Sequence, residues 1–217
     1  MAEAVYLEIG SKRVFAGSID WPGWCRSGRD EESALEALLE NAPRYKKAIG
    51  AAARGFSPPS RATAALRVVE RLKGNATTDF GAPAVAPSSD DRPIGSKEAE
   101  RLTKLLQACW KRFDATAKKA AGVELRKGPR GGGRDVDAIV RHVDEADRAY
   151  LSKLGGTVPK GTDTAELRRA FLDAFRARIR GEPITSRVKT PWLPRYAIRR
   201  SAWHALDHAW EIEDRRQ

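Results

Sequence analysis

The strongest constraint on the fold is a series of four amphipathic segments in the second half of the chain, where apolar residues recur every three or four positions. Such spacing puts the apolar side chains on one side of an α-helix. The second segment ends at the glycine pair Gly155-Gly156, and the third opens with Asp163 and Glu166 at capping-box spacing. Four helices that each have one apolar side to bury predict a four-helix bundle. The predicted helices span about 96–121, 135–154, 163–180 and 195–215.

The first half of the chain carries a different pattern. Residues 4–9 and 13–19 alternate and are rich in β-formers, and Gly10-Ser11 separates them, which predicts a β-hairpin. Asp30 then occupies the N-cap position of a helix predicted over about 31–41. The front of the chain is therefore expected to mix strands and helix.

The signals weaken beyond this helix. Pro43 is expected to break or restart the helix, because proline has no backbone N–H to donate. The segment 66–72, LRVVERL, is a further strand candidate, and 75–96, rich in Pro, Ala, Gly, Ser and Asp, is either a linker or an irregular wrap. We therefore predict an α+β chain with two domains, an αβ unit with its linker over 1–95 and a helical bundle over 96–217.

Composition narrows the class of protein. The chain has 217 residues, of which 41% are apolar and 32% charged, as expected for a globular protein with a hydrophobic core. No run of 18 apolar residues predicts a membrane span, and the first residues do not have the pattern of a signal peptide. Two cysteines, Cys25 and Cys109, are too few for a disulfide framework. We therefore expect a cytoplasmic protein that does not enter the membrane.

The formal charge of +11 indicates that phosphate-bearing or other anionic partners are attracted to the chain. Three interpretations stay open: a solvated basic face, a pocket for an anionic ligand, and a surface for nucleic acid. The last is the least favoured of the specific readings, because no RNA-binding aromatic motif interleaves the basic residues. The basic residues are densest at Lys118-Lys119, in the loop 126–134 and over 187–200.

The only three histidines of the chain all fall on predicted helices of the bundle. His204 and His208 lie one turn apart on the fourth helix, so that both rings can reach a single point. His142 lies at the edge of the apolar face of the second helix. Histidines that are simply hydrogen-bonded in the core, with His142 at the surface, are the alternative. Three imidazoles in one bundle, two of them at ligand spacing, favour a site for one divalent metal ion, zinc or nickel.

At these residues the chain resembles the DinB family of four-helix bundles. In that family one histidine of the second helix and an HxxxH pair of the fourth helix bind a divalent metal, and His142, His204 and His208 match those positions. Trp203 and Asp207 agree with the family sequence around the pair, as does the basic, glycine-rich loop before the second helix, which is similar to that of bacterial members. The resemblance covers residues 96–217 and implies a metal-binding DinB-like bundle.

The front segment resembles the HicB-like fold. The resemblance rests on two strands followed by Pro22-Gly23, Gly28 and Asp30-Glu31-Glu32, which lead into a helix rich in alanine and leucine. It covers about residues 4–50. HicB-like proteins bind a toxin partner and often DNA, but residues 1–95 show no helix-turn-helix pattern. The resemblance therefore implies a fold for this segment and not an activity.

Three histidines leave at least one coordination position open, which is typical of catalytic zinc sites. DinB-like proteins resemble thiol transferases that use mycothiol or bacillithiol, or metal-dependent hydrolases, so a low-molecular-weight thiol or another anionic small molecule is the expected substrate. Asp207 and Glu211 are candidates for orienting the histidines or for proton transfer, or else form surface salt bridges. The candidate anion contacts are Arg126, Lys127 and Arg130.

Two further functions stay open beside the metal-dependent enzyme. In the first, the protein is a non-catalytic, antitoxin-like binding module that recognises a protein or nucleic acid, and the metal is structural. In the second, the bundle keeps its histidines without any activity. A second copy of the chain, forming a homodimer, is a further candidate partner. The enzyme is the favoured function, because an open three-histidine site is costly for a mere scaffold to maintain.

Overall fold

The computed structural model describes residues 2–60, 62–127, 133–184 and 188–216. These form two compact units, one ending at Arg92 and the other beginning at Pro93. The first unit contains the β-sheet, and the second is entirely helical within the described residues. The α+β class predicted from the sequence is confirmed.

The first unit is built on a mixed four-stranded sheet with strand order β3-β2-β1-β4. Strands β1 and β2 form the predicted antiparallel hairpin, β3 extends it, and β4 pairs with β1 in parallel. The sequence did not predict β3, because Cys-Arg-Ser-Gly has neither alternation nor a run of β-formers. The strands span Glu3–Ile9, Val14–Ser18, Cys25–Gly28 and Leu66–Lys73.

Helix α1 spans Glu31–Ile49 and packs against β2 and β3. The prediction that Pro43 breaks this helix is wrong, since the helix continues through it. Tyr45 lies beyond the proline and is fully buried; its hydroxyl donates to Pro22 O at 2.9 Å, and its ring stacks on Trp24 at 6.1 Å. Burial of this last part of the helix offsets the one backbone hydrogen bond that proline removes.

The segment after β4 wraps on the sheet of the first unit. It contains helix α2, Ala76–Phe80, and a 3-10 turn at Ser88–Asp91. The carboxylate of Glu8 is 0% exposed and accepts hydrogen bonds from Ala84 N at 2.8 Å, Val85 N at 3.1 Å and the Thr78 hydroxyl. Of the two predictions for 75–96, the irregular wrap is therefore the correct one as far as residue 91.

The second unit consists of α3, α4, α5 and α6, and their limits lie within a few residues of the predicted helices. Helix α6 packs against the other three and has buried residues around most of its circumference, as its sequence indicated. In the described part of the chain, no helix combines the length and apolarity needed to cross a bilayer. The helices span Ser96–Lys119, Val136–Leu154, Thr164–Ile179 and Pro194–Arg216.

Helices α3 and α6 run in the same direction. Near their N-termini Arg195 pairs with Glu98, and near their C-termini the Thr116 hydroxyl donates to Glu213 at 3.1 Å. Helix α4 runs opposite to α6, because His142 meets His204 while Asp147, further along α4, meets Ser201, earlier in α6. This antiparallel packing brings the histidine of α4 level with the histidine pair of α6.

Helices α4 and α5 run parallel, although they are consecutive. Asp144 accepts a hydrogen bond from the Thr164 hydroxyl at 2.8 Å, and a Cβ at Gly156 would lie 3.1 Å from Ala174 Cβ, so both sequences advance together. The connection over 155–163 must therefore run back along α4, where the guanidinium of Arg148 donates to Thr162 O. The bundle has an up-down-down-up order.

Candidate metal centre

The three histidines converge on one point inside the helical unit. The Nε2 atom of His204 lies 3.2 Å from Nε2 of His142 and 3.2 Å from Nε2 of His208. One ligand nitrogen from each ring lies within 4.8 Å of the others. The predicted grouping of His142, His204 and His208 is therefore present in the structure, and they lie close enough to hold a metal ion.

Helix α6 supplies most of the centre from a single stripe. The His204 residue is 6% exposed and the side chain of His208 is 12% exposed, because the helix lies between its three neighbours. Spacings of three and four residues keep further polar side chains on the same side of the helix as the two histidines. This stripe consists of Arg200, His204, His208, Glu211 and Arg215.

A chain of hydrogen bonds orients His208. Its Nδ1 lies 2.7 Å from Glu211 Oε2, and the other oxygen of Glu211 accepts from Arg215 Nη1 at 2.7 Å. A carboxylate only accepts, so Nδ1 carries a proton, and in the neutral form of the ring Nε2 then presents its lone pair to the other two histidines. Burial tends to raise the pKa of Glu211, but the hydrogen bonds from His208 and Arg215 hold it below its ordinary value. Glu211 is therefore an ionised partner of a candidate ligand.

Burial keeps the other two imidazoles neutral. It lowers the pKa of His142 to about 4, with further contributions from the charges of His208 and Arg134. Burial also holds the pKa of His204 well below its ordinary value, and the charges of His208, Arg200 and others act in the same direction. The neutral imidazole is the form that binds a metal, so little proton competition is expected near pH 7.

Hydrogen bonding among the histidines cannot satisfy the cluster. A single N–H on His204 Nε2 can point at only one of its two neighbours, and His208 Nε2 already presents a lone pair. The buried His204 Nδ1 has no hydrogen-bond partner among the described residues. Zinc–nitrogen bonds of tetrahedral geometry separate two ligand nitrogens by about 3.3 Å. The observed 3.2 Å spacings agree with it. The three residues therefore fit a divalent metal.

The two acidic candidates have different positions. Glu211 bonds to His208, whereas Asp207 lies one residue before His208 and so points about 100° away from it around the helix. Asp207 is partly buried. The hydrogen bond to the imidazole is thus made by Glu211, and the structure does not bring Asp207 into that bond.

Arg126, at the start of the basic loop, has a structural role that the sequence did not reveal. Arg126 N donates to Arg215 O at 2.9 Å, and the Arg126 guanidinium donates to Asp214 O at 2.8 Å. These bonds satisfy carbonyls at the C-terminal end of α6, which otherwise lack partners. Lys127 is exposed, and Arg130 lies outside the described residues. Arg126 is therefore held against the end of α6, and its guanidinium already donates a hydrogen bond to the backbone there.

The sequence analysis did not predict that Arg200 and an aromatic wall, formed by Tyr150, Trp192 and Trp203, lie next to the histidines. The ring of Tyr150 meets His204 edge-on at 5.6 Å, and Trp192 lies 5.1 Å from Tyr150. The guanidinium of Arg200 lies 4.7 Å from the Trp203 ring and 5.6 Å from the Tyr150 ring. The available signal was the spacing, since Arg200 precedes His204 by the same four residues that separate His204 from His208.

A buried carboxylate lies one turn from the histidines. Asp147 accepts a hydrogen bond from the Ser201 hydroxyl at 3.1 Å and pairs with Arg168 at 3.4 Å. Burial raises the pKa of Asp147 to about 6, although the charge of Arg168 and the hydrogen bond from Ser201 oppose the shift. This carboxylate links α4, α5 and α6 below the centre.

No protein-family model, curated protein or solved structure matches the chain. The resemblances to DinB-like and HicB-like proteins therefore remain predictions that rest on the residues of this chain.

Proposed function

We propose that the helical unit is a divalent-metal-dependent enzyme of the DinB type, acting as a thiol S-transferase or a hydrolase in the cytoplasm. The observation that carries the proposal is the convergence of three Nε2 atoms, two pairs of which are 3.2 Å apart. His142, His204 and His208 would hold the metal, zinc or nickel. Three ligands leave room for a further group, as in catalytic zinc sites.

A metal held by these residues supplies a Lewis acid that lowers the pKa of bound water or of a thiol. Other residues of the chain would orient the histidines and limit the access of water. Glu211 keeps the proton of His208 on Nδ1 and orients the ring, and Arg215 in turn orients Glu211. The rings of Tyr150 and Trp192 restrict the access of water to His204. We propose a low-molecular-weight thiol of the mycothiol or bacillithiol kind as substrate.

The positive charge near the site supports an anionic substrate. Lys127 and Arg134 are exposed, and Arg130 belongs to the same loop. In this proposal they attract the substrate, whereas Arg126 holds the loop against the end of α6. Asp207 remains a candidate for proton transfer only.

The test is the metal content of the purified full-length chain, measured by elemental analysis. We expect close to one zinc or nickel ion per chain, and little in His204→Ala/His208→Ala or in His142→Ala. The matched control is Arg141→Ala, which changes the exposed neighbour of His142. Metal content that is unchanged in the histidine variants would refute the site.

Turnover separates the enzyme from the other functions. The metal-loaded chain should transfer small thiols to electrophiles or hydrolyse esters or amides, and His142→Ala should abolish this activity. A metal-loaded chain that is inert with all these substrates would instead favour the antitoxin-like binding module. That module should form a salt-sensitive complex with a nucleic acid or an acidic protein.

A further inference from the structure

Arg200 lies beside the three histidines in an unusual environment for a charged side chain. It is partly buried, and its guanidinium packs on the rings of Trp203 and Tyr150, at 4.7 and 5.6 Å. One turn further along α6 lies His204, whose ring also meets Tyr150. Arg200 therefore shares an aromatic wall with a candidate metal ligand.

Among the described residues Arg200 has no acidic partner, in contrast to several other arginines of the helical unit. Its Nη1 is buried and has no hydrogen-bond partner among the described residues. Two carboxylates of the network around the histidines are engaged elsewhere, Asp147 with Ser201 and Arg168, and Glu211 with His208 and Arg215. Arginines of this unit with a carboxylate partner are Arg112, Arg148, Arg168, Arg176, Arg180, Arg195 and Arg215.

Contact with the rings of Trp203 and Tyr150 does not replace the hydrogen-bond acceptor that the guanidinium of Arg200 lacks. A cation over an aromatic ring is attracted by the ring face, but this contact is weaker than a hydrogen bond to a charged acceptor. The buried Nη1 of Arg200 has lost its hydrogen bond to water and has gained no acceptor in return. Since the described residues supply no carboxylate here, an anion from outside the chain would stabilise Arg200.

We propose that Arg200 binds an oxyanion group, a carboxylate or a sulfonate or phosphate, of a small ligand that occupies the centre beside His142, His204 and His208. The guanidinium donates to the oxyanion, and the rings of Tyr150 and Trp203 hold the guanidinium in position. This inference rests on the proposed function and narrows the substrate to a thiol that carries an oxyanion. A divalent metal on three neutral imidazoles adds a second positive charge, which favours the same class of ligand.

Three small thiols that differ mainly in charge test the proposal: mercaptoacetate, mercaptoethanesulfonate and the neutral mercaptoethanol. Their dissociation constants are measured by isothermal titration calorimetry on the zinc-loaded full-length chain. We expect the anionic thiols to bind about tenfold to a hundredfold more tightly than mercaptoethanol, the usual effect of a hydrogen bond between charged groups. Comparison of the carboxylate with the sulfonate shows whether a planar or a tetrahedral oxyanion fits better.

The preference for the anionic thiols should fall about tenfold in Arg200→Gln and in Arg200→Met, which keeps an aliphatic chain against the rings, and only the part that comes from the metal charge should remain. Binding of mercaptoethanol should stay unchanged in both variants. The matched control Arg141→Gln removes one charge from an exposed site of α4 and should keep the preference. Equal binding of all three thiols by the wild type, or a preference that is as large in the Arg200 variants as in the wild type, would overturn the proposal.

A metal-free arm separates this proposal from the metal site. The chain is treated with a chelator, and mercaptoacetate binding is followed by tryptophan fluorescence, because Trp203 lies under Arg200. We expect a fluorescence change with wild type that is absent in Arg200→Met. If the chain holds no metal but keeps this Arg200-dependent change, the metal-dependent function fails while the oxyanion site stands. If the change is missing from the metal-free wild type, or is the same in Arg200→Met, the oxyanion site is overturned.

Discussion

Replacing Glu211 by glutamine should weaken metal binding about tenfold to a hundredfold, the usual effect of losing a carboxylate that orients a ligand histidine. Glu211 uses both oxygens, one for His208 Nδ1 at 2.7 Å and one for Arg215 Nη1 at 2.7 Å. Glutamine has one oxygen, so one of the two donors must lose its acceptor. The ring of His208 loses either its partner or the arginine that holds that partner in place.

Competition with a chelator of known zinc affinity measures the effect in the full-length chain. The matched control is Asp207→Asn, which removes a carboxylate from the adjacent stretch of α6 that points to another side of the helix. Thermal unfolding of the metal-free variants accounts for the loss of the Arg215 contact, about 1–3 kcal/mol. Wild-type affinity in Glu211→Gln, or an equal loss in Asp207→Asn, would refute this account of the hydrogen-bond chain.

Three further predictions concern the fold of the two units. The pKa of Asp147 is about 6 in the folded chain, against an ordinary value of 3.8. The folded state therefore binds the proton more tightly than the unfolded state does. The stability gained from this proton is complete below pH 3.8 and is lost as the pH rises through 6. The unfolding free energy of metal-free wild type minus that of Asp147→Asn should therefore increase by up to about 3 kcal/mol on acidification from pH 7 to pH 4; a flat difference contradicts this. Pro43→Ala should raise the unfolding free energy by about 1–3 kcal/mol in chemical denaturation, because it restores a hydrogen bond in the middle of α1, and a loss of stability would show that the ring itself is needed. A broad-specificity protease should cut the wild type at 92–96, after the wrap that Glu8 holds. In Glu8→Gln the first cut should move into residues 81–91. The same cleavage sites in both proteins would show that Glu8 does not anchor this segment.

The cluster of three histidines could be predicted from the sequence because its residues follow simple helical geometry. His204 and His208 are four residues apart, and a helix of 3.6 residues per turn brings such residues to the same side. Placing His142 beside them required the additional assumption of a bundle. The antiparallel packing of α4 and α6 satisfies that assumption.

The charged groups around the centre could not be assigned in the same way. The sequence presents Arg126 and Arg200 alike as members of basic stretches. In the structure, Arg126 donates to carbonyls at the end of α6, and Arg200 packs on two aromatic rings with a buried N–H that has no partner among the described residues. The two arginines differ in the residues that contact them from distant parts of the chain. The spacing of residues within one segment does not predict such contacts.

The sequence alone determined the helices of the second unit, the hairpin of the first, and the pairing of His204 with His208, because each depends on interactions between residues that are close along the chain. Tertiary structure decided that α1 continues through Pro43, that Glu8 holds the wrap, and that Arg200 lies beside the histidines with no acidic partner among the residues that the structure describes. These outcomes depend on burial and on groups brought together from distant segments. Local propensity is worth at most a few kcal/mol, and such packing readily overrides it.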